Sequence, residues 1–424
     1  MTTNAADERV FRAGQDDELW ETLGRIVTET PVTDLHTHLY APAFGGLLLW
    51  GVDELLTYHY LIAEVLRATA MPAEQYYSMP KREQADLIWK TLFIERSPIG
   101  EGCRGVVTAL KGLGLDVGSR KLDDYRAWFA AQEPESHIDA VYRAAGIHCA
   151  VMTNDPFDDV ERPVWLNGFA GDPRFRAALR IDPLLNDWPN ACRRLKDWGY
   201  DVEPSLGDLA LAEVRRFLED WLKRTDSLYM AVSLPPDFAF PEVSARATLI
   251  EECILPVARE RACPFAMMIG VKRGVNPALR LAGDGVARAD LTAVQNLCAN
   301  HLDNKFMITL LSRENQHELT VMARKFSNLF LFGCWWFLNN PSLIEDMTRM
   351  RIELLGLSVA PQHSDARVLE QVIYKWDHSR RVIGKVLEDK YGDLLDAGWT
   401  VTEGELRRDV GRLLAGNFWE FVGR

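Results

Sequence analysis

The stretch VTDLHTHLYAPAFGG, Val32–Gly46, decides how the rest of the chain is read. It begins as a short apolar run with Asp34, His36 and His38 at alternate positions. Side chains two residues apart on a β-strand leave the same face. The two imidazoles of an extended His-x-His therefore point the same way and offer two nitrogens to one divalent cation. The competing reading is a pair of polar residues capping a strand, or buried histidines satisfied by backbone. A third ligand and the surrounding pattern of strands decide between the two.

Upstream, DDELWETLGRIVTET places Leu19, Trp20, Leu23, Ile26 and Val27 at helical spacing, which predicts an N-terminal helical arm within residues 1–30. Downstream, residues from about 53 to 140 carry successive 3.6-residue stripes broken by Pro and Gly, which predicts a helical insertion. The rhythm then changes. Short apolar runs at 148–156, 175–183, 227–236, 264–271, 305–311, 329–336 and 357–367 alternate with amphipathic helices. With TDLHTHL they make eight candidate strands. Strands alternating regularly with helices predict a parallel sheet. Eight such units predict a (β/α)8 TIM-like barrel spanning residues 31–424 as one domain, with its site at the C-terminal strand ends. Several runs end in polar residues, as that face requires: TNDP, RIDP, SREN and QHSDAR.

The formal net charge is −13 and no Lys/Arg-rich stripe is present, so a nucleic-acid partner is not expected. Seven scattered cysteines without a CxxC pair point to a reducing compartment. The N-terminus lacks a signal-peptide apolar core and no run is long enough to span a bilayer, so the expectation is a cytoplasmic protein without a membrane partner. GGLLLWG lacks the GK[ST] ending of a phosphate loop, and neither a nucleotide nor a redox cofactor is expected. In so acidic a chain, an anionic substrate needs a locally basic site. Arg180, Lys272, Arg273, Arg313 and Arg367, all at or just beyond candidate strand ends, are the cations to follow.

The third metal ligand should come from another strand end, and PQHSDAR offers His363 and Asp365. Asp365 is the better placed, because strand eight neighbours strand one when a barrel closes. Its alternative role is an N-cap for the helix that follows.

At this point TDLHTHL and HSDAR together resemble the amidohydrolase superfamily. The stretches KREQADLIWKTLFIERSP, AALRIDPLLN, LLSRENQHEL, ARKFSNLFLFGCWWFLNNP and PQHSDARVLEQVIYKW narrow the resemblance to the uronate isomerases, in the branch related to bacterial galacturonate isomerases. The resemblance runs from about Pro31 to Arg424. It implies an aldose–ketose isomerase acting on a small sugar acid. It also implies one divalent metal ion, zinc the first choice, on His36, His38 and Asp365. Asp365 is further implied in proton transfer, Arg367 on the sugar hydroxyls, His59 and Tyr60 near the reacting carbonyl, and Arg180 near the substrate. A homo-oligomer is compatible with it.

The chain departs from the wider superfamily. The fourth run has no Lys or His, and Met267 and Met268 stand where a strand-five His is common. The sixth run has none, and His317 falls at a helix start beyond it. Three ligands leave coordination positions that a chelating uronate could occupy through its C6 carboxylate and C5 hydroxyl.

By pattern alone, His59 lies on a helical stripe with Val52, Leu55, Leu56, Ile62 and Leu66 and reads as packed, while Tyr60 stands off its centre. Among the cations, Arg180 and Arg367 are favoured for substrate, since a guanidinium fork matches carboxylates and vicinal hydroxyls. Salt bridges at helix ends account for some of the others. Trp335 and Trp336 form either a core rim or a stacking platform, and Asp155 and Asp158 read as turn and cap residues. The rival functions are a metal-dependent hydrolase or a non-oxidative decarboxylase on the same barrel, and a sugar-acid binder without turnover.

Overall fold

Seven of the eight expected strands form one sheet in the computed structural model, which describes residues 9–424. They are β1 (Val32–Thr37), β2 (Ile147–Asn154), β3 (Phe175–Arg180), β4 (Met230–Leu234), β5 (Phe265–Ile269), β6 (Phe306–Leu310) and β7 (Leu329–Leu331). Neighbours in the sheet are neighbours in the chain, and every pair is parallel. Helices cover the outside, so the strands are buried on both faces and read as continuous apolar runs such as FAMMI and FMITL. The result is an α/β barrel of the TIM-like kind.

The run at 357–367 is not a regular strand. It closes the ring through single backbone contacts. On one side Gly333 N–H donates to Ala360 O at 2.8 Å and Ala360 N–H to Leu331 O at 3.1 Å. On the other, Asp365 N–H donates to His36 O at 3.1 Å and His38 N–H to Ala366 O at 2.7 Å. Two local causes break the ladder. Pro361 has no N–H to give. Asp365 adopts φ +51°, in the left-handed region that Asp tolerates better than most residues.

Helix α1 (Asp16–Glu29) buries Leu19, Leu23, Ile26 and Val27, whereas Trp20 of the expected stripe stays exposed. Of the arm expected over 1–30, residues 1–8 lie outside the described residues. Between β1 and β2 the chain runs through a series of helices from Val52 to Ala145, among them α2 (His59–Thr69) and α3 (Glu101–Gly112). The long α4 (Gln371–Asp396) packs against α1 and α3. Its contact with α3 is close at one point: a Cβ on Gly105 would stand 2.8 Å from the Tyr374 ring.

The barrel interior is filled by Leu35, Val151, Ala178, Ala231, Ala266 and Met307, and its N-terminal end is stoppered by α5 (Asn417–Val422). There Phe418 meets the Tyr229 ring edge-on at 6.2 Å, Phe421 stacks on Phe330 at 4.9 Å, and the Trp419 indole N–H donates to Thr33 Oγ1 at 2.9 Å. Among the described residues no helix is long and apolar enough to cross a membrane.

Candidate active site and metal centre

His36, on β1, and His38, just beyond it, face Asp365 of the closing segment. One ligand atom from each lies within 4.8 Å of the others. Asp365 Oδ1 stands 3.4 Å from His38 Nε2 and 3.7 Å from His36 Nε2. Second partners fix which imidazole nitrogen carries the proton. Thr153 gives its hydroxyl proton to Thr37 O at 2.7 Å, so at 3.0 Å from His38 Nδ1 it must accept. Tyr229 gives its proton to Leu35 O at 2.7 Å and lies 3.4 Å from His36 Nδ1, again as acceptor. Each Nδ1 therefore keeps the hydrogen and each Nε2 presents a lone pair toward Asp365.

Burial holds both imidazoles below their usual range, so they are neutral. Burial works against the Asp365 charge, but the charge His38 and His36 would carry if protonated and that of the Lys375 ammonium outweigh it and hold the carboxyl well below the usual carboxylate range. His36 Nε2 and Asp365 Oδ1 are buried and without a hydrogen-bond partner. Acceptor atoms converging in a buried space, with no donor between them, fit a divalent cation.

Asp34, third member of the alternating trio, does not join them. Its pairing jumps from Asp34↔Ala150 to Thr37↔Met152, three steps against two, and the extra residue turns it away from the histidines. Its carboxylate accepts from Ser364 N–H at 2.9 Å and from the Trp376 indole at 2.8 Å, which ties the closing segment and α4 to β1. His363, the other candidate third ligand, is fully buried beneath the centre, 5.3 Å ring to ring from His36. Its place requires Gly333, where a Cβ would stand 1.9 Å from His363 Nδ1.

Above the three ligands opens a half-enclosed cavity lined by polar and aromatic side chains. His59, Arg180, Arg273 and Arg367 all line it, and the three guanidinium groups differ in what they already hold. Arg180 is clamped by Asp182, Nε to Oδ2 and Nη2 to Oδ1 at 3.0 Å each, which leaves the two Nη1 hydrogens and the second Nη2 hydrogen for another acceptor. Arg273 is paired with Asp284. The Arg367 guanidinium has no hydrogen bond or ion pair to any described residue. Arg313 pairs with Asp346 at 2.9 Å on the surface, and neither it nor Lys272 lines the cavity.

Burial, and then the charge of Arg367, push His59 down to about 3, so it is a neutral imidazole at the wall. Tyr60 does not line the cavity, and its hydroxyl is buried and unpaired. Tyr58 does line it. Trp335 and Trp336 both reach the cavity, with the Trp336 ring 5.4 Å from that of His59. Strands β4 and β5 present Ala231, Val232, Ser233 and Met268, none of them a metal ligand. His317 is exposed on its helix. Asp155 and Asp158 accept from nearby backbone N–H groups, as turn and cap residues do.

Sequence reasoning passed over Tyr58, Asp182 and Lys375. Asp182 lay two residues beyond Arg180 in RID, the spacing at which an acid on the first turn of a helix folds back on a strand-end arginine. Lys375 is buried in α4 without a hydrogen-bond partner, which no periodic pattern marks.

No family model and no curated protein matches the sequence. Solved structures do. A uronate isomerase from Bacillus halodurans C-125 is 57% identical over 96% of this chain and 97% of its own, with a TM-score of 0.95. A uronate isomerase from Thermotoga maritima (17% identity, 95% and 97% covered, TM-score 0.76) and a glucuronate isomerase from Caulobacter crescentus (15%, 97% and 95%, 0.77) share the fold.

Proposed function

The chain belongs to the uronate isomerase family, and from that premise we propose how its own residues interconvert an aldose uronate and its ketose. The substrates this reading favours are D-galacturonate, giving D-tagaturonate, and D-glucuronate, giving D-fructuronate. The conversion moves one proton from C2 to C1 through a cis-enediol, and a second from O2 to O1. It needs a base near C2, a donor for the oxygen that gains charge, and an anchor for the C6 carboxylate.

Asp365 is the base. It lines the cavity, is ionised, and is held in place by backbone contacts to β1. Arg367, two residues on and without a protein acceptor, supplies donors to substrate oxygens, and the neutral His59 adds another at the same wall. Arg180 has Nη1 and one Nη2 hydrogen to offer, so it binds the substrate as half of a pair with Asp182.

His36, His38 and Asp365 would hold the metal, which we take to be zinc on the strength of two imidazoles and a carboxylate. When bound, that ion supplies a positive template for the uronate's carboxylate and C5 hydroxyl. All seven cysteines are unpaired, which supports a reducing, cytoplasmic setting.

The observation that carries the reading is the ionised Asp365 facing a cavity whose one unengaged guanidinium, among the described residues, is two residues away. NMR of each uronate incubated with the protein in D2O tests it. Ketose should form from at least one of them. Hydrolysis or CO2 release without ketose, or binding without turnover, would sink it.

A further inference from the structure

His38 is the least enclosed of the three ligands. Its side chain is 21% exposed, against 3% for His36 and 8% for Asp365. It stands just beyond the last residue of β1, so packing holds its ring less firmly than theirs. What orients the imidazole is the hydrogen bond from Nδ1 to the Thr153 hydroxyl at 3.0 Å. The aim of the metal-facing nitrogen therefore depends on what holds Thr153.

The residues that do so follow in DPFDDVERPVW, 155–165. After β2 ends at Asn154 the chain turns, and Asp158 Oδ1 accepts from the N–H groups of Val160 and Glu161 at 2.8 and 2.9 Å. A short helix, Glu161–Leu166, starts there and sends the Glu161 side chain back to the strand ends, where it is fully buried. Its carboxylate has no ion-pair partner among the described residues and is met by four donors instead. Oε1 accepts from the Asn154 amide at 2.8 Å and from the Trp165 indole, one helical turn on, at 3.1 Å. Oε2 accepts from Asp155 N–H at 3.0 Å and from the Tyr40 hydroxyl at 3.1 Å.

These donors flank the contact between Thr153 and His38. Asn154 and Asp155 follow Thr153 in the chain, and Tyr40 lies two residues beyond His38. One carboxylate thus ties the ends of β1 and β2 together at the level of the metal centre. The tie does not serve stability. Burial outweighs the four donors and pushes the Glu161 carboxyl up from 4.5 to about 7. A carboxyl raised in the folded state lowers stability as pH rises through that window, and stability stays lower above it. What the four directional bonds to a charged group secure at neutral pH is position.

We propose that Glu161 is a positioning residue for the metal centre: it sets the place of Thr153 and of the chain beyond β1, and through them the aim of His38 Nε2. The proposal rests on the metal reading above and not on the choice of uronate. Glu161 does not line the cavity, so it acts only through its neighbours. A glutamine in its place accepts at one oxygen and turns an NH2 group toward the donors at the other. One side of the tie then breaks, and the His38 ring is free to swing.

The test titrates metal-free protein with zinc against a chromogenic chelator and reads affinity per folded molecule. Thr153→Val removes the acceptor facing His38 Nδ1–H and should weaken zinc binding by about 10- to 100-fold, the usual cost of losing the partner of a metal-bound imidazole. Thr153→Ser keeps the acceptor and should stay within about threefold of wild type. Glu161→Gln should weaken binding by about tenfold, the low end of the same range, because it acts at one remove. Combining Glu161→Gln with Thr153→Val should add no more than about threefold to the loss from Thr153→Val alone, since both changes disable one contact. Wild-type affinity in Thr153→Val or in Glu161→Gln, or losses that multiply in the double variant, overturns the proposal. If Glu161→Gln does not fold, Tyr40→Phe replaces it, since it leaves the carboxylate in place and removes one tie. A weakening that disappears in the Thr153→Val background supports the proposal, and no weakening, or the same weakening in both backgrounds, refutes it. Wild-type protein that takes up no zinc overturns the metal reading and this proposal with it, whereas zinc uptake that Glu161→Gln leaves unchanged overturns the proposal alone.

Discussion

The two ends of the barrel are built from the same strands and treat polar atoms in opposite ways. At the N-terminal end, α5 closes the interior with apolar contacts and its polar groups are paired, Trp419 on Thr33 and Lys305 Nζ on Phe421 O at 2.7 Å; two amide oxygens nearby, Asn304 Oδ1 and Asn328 Oδ1, stand buried without partners. At the C-terminal end, His36 Nε2, His59 Nε2, Tyr60 OH, His363 and Asp365 Oδ1 are buried without partners. An unpaired buried polar group costs about 1–3 kcal/mol. The deficit at the C-terminal end is the larger and is gathered around one space. That end holds groups apart for something that is not protein, and one end of the fold carries stability while the other stores binding capacity.

Substitutions at the two ends should therefore separate activity from stability. The largest effect is expected from Asp365→Asn, which keeps size and removes the base. Turnover should fall by about 10²- to 10⁴-fold, while the metal-free variant should melt no earlier than metal-free wild type, because an amide N–H can face the imidazole lone pairs. A drop in Tm with turnover intact would erase the contrast. At the other end, Phe418→Ala should cost about 3–5 kcal/mol in stability and leave kcat per folded molecule within about twofold. Denaturant unfolding beside active-site titration checks this, and a large loss of kcat would mean that the stopper shapes the site.

Two smaller changes sharpen the picture within the mouth. Arg367→Met removes an unengaged guanidinium, so KM for a uronate should rise by about 10- to 100-fold, as the loss of hydrogen bonds to a charged group of about 1.5–3 kcal/mol requires. Arg180→Met should raise KM by roughly tenfold, a figure in keeping with a guanidinium already half engaged plus the unpaired Asp182 it leaves to repel an anion. Adding Asp182→Asn should recover part of that rise. If the double variant is worse than the single one, Asp182 contacts the substrate directly.

Much of this contrast was legible before any coordinates. The seven regular strands announce themselves as apolar runs because both faces are covered. The His-x-His motif is legible because strand periodicity is strict. Where periodicity fails, reading fails with it. The segment at 357–367 looks like a strand until Pro361 and the left-handed Asp365 are taken into account, and those same features point the carboxylate at the histidines. Asp34 looks like part of the motif, but one extra residue of register sends it to Trp376. Tyr58 was hidden by its neighbours: His59 and Tyr60 drew attention to the helix, and the cavity is lined by the residue just before it.

The stopper has a consequence in time as well as in space. The hydrogen bond from Trp419 to Thr33 joins residues 386 positions apart. The first barrel strand waits for α5 before the barrel floor exists. The segment that brings Asp365 to His36 also arrives late. Every nascent chain thus emerges with its two histidines waiting for their carboxylate and its inner face uncovered. Only when α5 has been made is the floor complete.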